Sequence, residues 1–224
     1  MSLAALLEAS GVESRLIAPL ARYGELLLEA NARVNLTGAK SAHELAPHLV
    51  DSLSVVPYVR EPYADVGSGG GLPAIAVALA AGIAVTMIET TQKKARFLRE
   101  AVERLGLRGI VVAERAEVAA HDPALREHFA SATARAVALA PTVAELLLPL
   151  LAAGGTAILQ RGTLDERERR ALDDAALMLG GTLESEHVLD GERRIVLVRK
   201  IAATPQRFPR RTGVPEKRPL CYPP

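Results

Sequence analysis

From Tyr63 to Lys200, short apolar or β-branched runs alternate with amphipathic ones, and this alternation restricts the fold of the 224-residue chain more than any other feature. Residues 63–66, 83–89, 110–113, 132–137 and 156–160 read as strands, the last after a Gly154-Gly155 turn. Residues 72–81, 90–105, 140–152 and 164–179 read as helices. Two more strands, 182–188 and 194–199, flank Asp190-Gly191, a hairpin signal. Strands alternating with helices imply a parallel sheet covered on both faces, and the hairpin adds an antiparallel strand at one side. The first sixty residues repeat leucine at helical spacing, with Pro47 and Pro57 expected to break later turns. After Ala202 the chain is rich in Pro and Arg and reads as an irregular, flexible tail. The expected division is therefore a helical segment (1–60), an α/β domain (61–201) and a basic tail (202–224).

The chemistry concentrates in Asp65-Val66-Gly67-Ser68-Gly69-Gly70-Gly71-Leu72-Pro73, between a predicted strand and a predicted helix. Glycines there let the backbone approach a ligand closely. A dinucleotide fingerprint needs a small residue three places after its second glycine. Counting from Gly67, that place holds Leu72. The Gly67, Gly69, Gly71 spacing instead suits a loop around the methionine part of S-adenosylmethionine, which has no pyrophosphate. Glu89 ends the next strand, where a carboxylate can accept hydrogen bonds from both ribose hydroxyls. A solvated helix-capping acid is the plainer alternative for Glu89. Arg115-Ala116-Glu117 follows the third strand, and in such a fold that loop lies beside the adenine. Together with the closing hairpin, this is the pattern of a class I methyltransferase: a Rossmann-like, seven-stranded, mostly parallel sheet, here with an N-terminal helical extension.

Charge adds a partner class. Residues 191–224 hold nine basic residues against two acidic ones, a net +7, which leaves −6 on the rest of a chain whose total is +1. The basic residues are Arg193, Arg194, Arg199, Lys200, Arg207, Arg210, Arg211, Lys217 and Arg218. A basic end on a mildly acidic protein suggests RNA, and a solvated tail is the alternative. Read as an RNA arm, residues 204–224 are expected to be removable with no effect on the cofactor. One cysteine, Cys221, excludes an intrachain disulfide and favours a reducing compartment. The 72–88 apolar run is too short for a membrane span and contains Pro73 and Gly82. Met1 to Val12 lacks a basic n-region and carries Glu8, so no secretory signal is expected. His43, His48 and Asp51 have no further His or Cys nearby to complete a metal site.

At these residues the chain resembles the RsmG family, also called glucose-inhibited division protein B (GidB). The matching pieces are Asn35-Leu36-Thr37, His48 through Asp51-Ser52, Asp65 to Pro73, and Glu89-Thr90-Thr91 with Lys93-Lys94 and Phe97-Leu98. Arg115-Ala116-Glu117, Thr133 to Val137, and Thr204-Pro205 through Pro219-Leu220 complete them. Many methyltransferases share the glycine loop; the combination of the other pieces is far more specific. The resemblance implies a cytoplasmic enzyme that transfers methyl from S-adenosylmethionine to N7 of a guanine in 16S ribosomal RNA, near the decoding centre. It implies cofactor contacts at Gly67, Leu72, Glu89, Thr90, Thr91, Ala116, Glu117 and Arg135, no metal and no membrane. For His48 and Asp51 it implies a role in shaping the cleft or touching RNA; helix packing is the alternative. Ala74, Ala130 and Arg161 depart from the family's frequent Gly, Asp and Lys at these places. Rival readings are a methyltransferase acting on another RNA, a protein or a small molecule, and a non-enzymatic RNA-binding module.

Overall fold

A computed structural model describes residues 1–135 and 138–222. The N-terminal segment forms α1 (Leu3–Ala9), α2 (Ser14–Val34) and α3 (Ala42–Leu53). The core then runs β1 (Tyr63–Val66), α4 (Ala74–Ala81), β2 (Val85–Ile88), α5 (Gln92–Leu105), β3 (Gly109–Val112), α6 (Ala116–Ala119) and β4 (Phe129–Arg135). It continues with α7 (Ala140–Leu147), β5 (Leu151–Arg161), α8 (Glu166–Met178), β6 (Gly181–Val188) and β7 (Arg194–Lys200), and α9 (Val214–Lys217) lies in the tail. The seven strands line up as β3-β2-β1-β4-β5-β7-β6. All pairs are parallel except β5–β7 and β6–β7. The fold is thus the α/β, mostly parallel seven-stranded sheet expected, with the closing hairpin turned back so that β7 enters between β5 and β6.

Side chains alternate across the sheet, as the two-residue period of a strand requires. Tyr63, Ile158, Ile195 and Leu197 face a core shared with α1 to α5. Ala64, Leu159, Val196 and Val198 face a second core with α7, α8 and the tail. The leucine periodicity of the first segment is explained by the first of these cores. Leu7, Leu20, Leu27, Leu45 and Leu49 are fully buried in it, each burial stabilising by about 1.5–3 kcal/mol. Gly24 of α2 is where Leu3 crosses: a Cβ there would collide with Leu3 Cδ2.

Several expected boundaries move. Pro47 lies inside α3 rather than breaking it. It is the sixth residue of that helix, so its ring costs one backbone hydrogen bond near the start while packing holds the remaining turns. The helix expected over 140–152 stops at Leu147; Leu148–Leu150 forms one 3-10 turn and Leu151 already pairs with Phe129. The Gly154-Gly155 turn falls within β5, where pairing jumps from Phe129↔Leu151 to Ser131↔Thr156, a bulge. The strand expected over 132–137 begins at Phe129, and Ala136 and Val137 lie outside the described residues.

The tail is the largest correction: it is neither irregular throughout nor loose. Phe208 and Leu220 are buried in the second core. Lys200, at the end of β7, is fully buried and donates to Leu148 O (2.8 Å) and to Thr204 Oγ1. Burial lowers its pKa to about 8, against the opposing pull of Glu127. Of the nine basic residues of 191–224, five are in ion pairs, four of them in or beside β7. Arg193 pairs with Asp51 and Asp190, Arg194 with Glu186, Arg199 with Glu184, Lys200 with Glu127 and Arg210 with Glu145. Arg207, Arg211, Lys217 and Arg218 stay exposed. Among the described residues, no helix is long and apolar enough to cross a membrane.

Candidate functional site

In open α/β sheets, ligands bind at the carboxyl ends of strands where the strand order reverses. Here that point lies between β1 and β4. The loop leaving β1 follows the spacing read from the sequence: Gly67, Gly69 and Gly71 have φ of +72°, +54° and +91°. These left-handed values favour glycine. Gly70 is required for a different reason. A Cβ on it would meet Leu27 Cδ1 at 2.8 Å and Leu36 O at 3.1 Å. Leu36 is held there by Asn31, whose Oδ1 accepts from Leu36 N (2.6 Å) and Thr37 N (3.0 Å). Its Nδ2 donates to Thr37 O and Ala39 O. Tyr23 donates its hydroxyl hydrogen to Gly70 O at 2.7 Å. The Asn-Leu-Thr piece is therefore a brace for the glycine loop. Sequence reasoning missed Tyr23 and Asn31, because both sit on a helix whose leucines already account for its packing.

Beneath the loop lies a buried polar chain. Tyr63 Oη and Thr133 Oγ1 are 2.6 Å apart, and Thr133 donates to Asp65 Oδ1 at 2.5 Å. Asp65 Oδ2 is buried with no partner. Burial raises the Asp65 pKa to about 6, with the Thr133 and Ser68 hydrogen bonds opposing the shift.

Glu89 faces the loop. Its Oε2 accepts from Gly69 N at 2.8 Å and its Oε1 from Thr91 N at 2.7 Å. The carboxylate thus ties the β1 and β2 loops together. Each oxygen has a further lone pair for a ligand donor. A cavity of about 290 Å³ opens at this place, lined by Gly67, Glu89, Thr90, Thr91, Ala116 and Glu117 among others. Six of the eight residues expected at the cofactor therefore share one cavity; Leu72 and Arg135 lie outside its lining. Glu114, Lys94, Arg115 and Glu216 also border it. Carboxylates outnumber cations there. Thr142 and Pro215, from α7 and the tail, border it too; neither was expected, because only the tertiary fold brings them to β1 and β2.

Arg135 ends β4 and turns toward α3. Its guanidinium donates to His48 O (3.2 Å), Ser52 Oγ (3.1 Å) and His48 Nδ1 (2.9 Å), and lies 3.5 Å from Asp51 Oδ2. Arginine only donates, so His48 Nδ1 is the acceptor and its proton sits on Nε2. Burial first, then Arg135, lowers the His48 pKa, against Asp51. The His-x-x-Asp-Ser piece and the arginine of the Arg-Ala-Val piece are thus one constellation. They line a second cavity of about 460 Å³ with Gln160, Arg161 and Arg193. A third, of about 310 Å³, shares Gln160, Arg161 and Gly162 with this cleft and Ala138 with the cavity beside Glu89. The three are neighbours through these shared residues. Among the described residues, no group of three or more His, Cys, Asp or Glu could hold a metal ion.

Comparison with known proteins gives the family and the fold. The GidB family model, described as rRNA small subunit methyltransferase G, matches residues 16–196. The ribosomal RNA small subunit methyltransferase G of Rubrobacter xylanophilus is 43% identical over 212 residues, covering 87% of this chain and 80% of that protein. Its counterpart from Geobacillus thermodenitrificans is 36% identical over 230 residues, covering 96% and 97%. Among solved structures, a point mutant of MtNAS in complex with S-adenosylmethionine superposes with a TM-score of 0.56 at 18% identity, covering 80% of this chain and 73% of that one. A branched-chain polyamine synthase mutein from Thermus thermophilus gives 0.56 at 12% identity, covering 82% and 64%. At such identities the structures speak for the fold alone.

Proposed function

This chain belongs to the family of ribosomal RNA small subunit methyltransferase G, S-adenosylmethionine-dependent enzymes, and we propose that it methylates N7 of a guanine in 16S ribosomal RNA near the decoding centre. The observation that carries the reading is a pair of cavities, an acidic one beneath the glycine loop and an arginine-bordered one, with a third between them that shares lining residues with each. The first suits a nucleoside that carries a sulfonium and an ammonium group. Glu89 has lone pairs for the ribose diol, and the Gly67 to Gly71 backbone admits the methionine part without a Cβ in the way. Bound there, the cofactor supplies an electrophilic methyl group. Thr90, Thr91 and Ala116 border the same space, and Glu117 acts on its far wall. Leu72 and Arg135 stand apart from this lining: Leu72 packs against the first core beside the loop, and Arg135 is held by α3.

The second cavity takes RNA. Arg193, with a half-exposed side chain, presents a guanidinium suited to phosphate or a base edge, while Arg135 is held by α3 and Arg161 is paired in bidentate fashion with Glu168. The target base must leave any stack to reach the junction. Guanine N7 has an in-plane lone pair that is unprotonated at neutral pH, so no general base is required. What this chain contributes is alignment of the base with the methyl group. In this reading 1–60 braces the loop, 61–201 carries the site and 202–224 closes it. The enzyme works in the cytoplasm, with the small subunit or its RNA as partner.

The test is methyl transfer from labelled S-adenosylmethionine to small-subunit RNA, followed by chemical cleavage at N7-methylguanine. Label in RNA with a single cleavage position supports the proposal. Label on an exocyclic amine, in protein or in small molecules overturns it.

A further inference from the structure

Residues 202–222 run back across the molecule and are fastened at almost every step. Thr204 N donates to Glu127 Oε1 at 2.7 Å, and Thr204 Oγ1 to Leu179 O at 2.7 Å. Arg126 donates to Phe208 O and Thr204 O, both at 2.9 Å, and to Ala120 O at 3.0 Å. His121 Nε2 donates to Pro209 O at 2.9 Å. Arg210 closes on Glu145, which is completely buried: its backbone N, Nε and Nη2 reach the carboxylate at 2.6–3.1 Å. Such a chain segment is a strap, and what it delivers is the turn into α9. Gly213 takes a left-handed φ of +76° there. Its N–H donates to Glu117 Oε1 at 2.8 Å, and Thr142 Oγ1 donates to Pro215 O at 2.8 Å. Pro215 and Glu216 then line the cavity that also holds Glu89.

We propose that the strap residues Gly213–Glu216 are part of the cofactor site, and that Glu117 is a positioning residue that anchors the strap rather than a direct ligand of the cofactor. This rests on the reading of that cavity as the S-adenosylmethionine site. Glu117 is 8% exposed and has one oxygen committed to the strap. A carboxylate in this position orients the wall through its bond to Gly213 N, and a neutral carboxamide oxygen can accept the same bond. A group reading a charge or a diol would not survive that exchange. The strap therefore does not behave as a separable arm, and the expectation that residues 204–224 can be removed without effect on the cofactor is reversed.

The experiment measures S-adenosylmethionine affinity by calorimetry for the full chain, Glu117→Gln, Glu117→Ala, Glu89→Ala and a chain ending at Thr212. The last keeps Phe208 and the Arg210–Glu145 pair. Expected are an affinity within twofold of wild type for Glu117→Gln and a loss of tenfold or more for Glu117→Ala and for the truncation. In the intact wild type, saturating S-adenosylmethionine is expected to slow trypsin cleavage after Arg211 and Lys217 at least threefold. That arm holds even where a variant folds poorly. Equal losses in Glu117→Gln and Glu117→Ala, a truncated chain that binds like wild type, or no protection by the cofactor would each overturn the proposal. Weakened binding in Glu89→Ala beside normal binding in the truncation refutes the strap alone. Normal binding in both refutes the cavity reading with it.

Discussion

The two main cavities on the carboxyl edge of the sheet are neighbours bordered by different charged groups. The one under the glycine loop is bordered by Glu89, Glu114, Glu117 and Glu216 against Lys94 and Arg115. The one under α3 is bordered by three arginines, each in an ion pair: Arg135 with Asp51, Arg193 with Asp51 and Asp190, and Arg161 with Glu168. Both stand on one rigid frame, since β4 sits between them and ends in Arg135. The difference teaches that a protein of net charge +1 can build sites of different local charge side by side. Overall charge says nothing of it, because fields fall off within about 8–10 Å in physiological salt.

The largest expected effect that tests this contrast lies at Asp65, buried under the acidic cavity. Its pKa is raised to about 6 from 3.8. A raised folded-state pKa means the native state holds its proton more tightly than the unfolded chain. Its stabilising contribution is complete below pH 3.8 and is lost as pH rises through 6. Asp65→Asn is therefore expected to gain stability relative to wild type across that window, by up to about 3 kcal/mol on the scale of 1.36 kcal/mol per pKa unit. Denaturant melts of both proteins at pH 4 and pH 7 read the difference; an identical gap at both values contradicts it.

Next comes Glu89→Ala, which removes the carboxylate from the same cavity. Cofactor binding is expected to weaken by about 1.5–3 kcal/mol, the range for hydrogen bonds to a charged group. RNA affinity at fixed salt is expected to stay within twofold. If calorimetry finds RNA binding lost in parallel, the two cavities are not separate sites. NAD is expected not to compete.

Arg193→Ala sharpens the other side. Arg193 is shared between Asp51 and Asp190 and borders the arginine cleft. Its loss is expected to lower the slope of log affinity for RNA against log salt by about one, as for one phosphate contact. Cofactor affinity is expected to be unchanged. A weakened cofactor with an unaltered salt slope would assign this cleft to the cofactor.

The smallest expected effect is on rate. With no general base, single-turnover transfer is expected to vary less than about twofold between pH 7 and 8.5. A tenfold rise governed by one ionisation would reveal a base that attack by guanine N7 does not need.

Much of this was legible in the sequence. The order of strands and helices could be read because burial on both sides of a sheet forces repeating patterns of apolar residues. The glycine spacing could be read because only glycine tolerates three left-handed positions so close together. What had no sequence signal was the partner of each polar residue. His48 and Arg135 are 87 positions apart, and Glu117 and Gly213 are 96. Nothing local marks either pair. The tail was misread for the same reason. Proline and arginine usually signal a solvated, irregular segment, yet Arg210 is held by Glu145, and Arg126 holds the backbone of Phe208.

The sequence by itself thus determined the α/β sheet, the glycine loop and its acid Glu89, since these follow from periodicity and backbone freedom that act over a few residues. Tertiary structure alone decided that α2 braces the loop through Tyr23 and Asn31, that Arg135 docks on α3, and that the tail walls the cavity beside Glu89. Those outcomes depend on hydrogen-bond geometry between distant groups. A bond of about 2.7–3.2 Å is fixed only when the whole chain has packed.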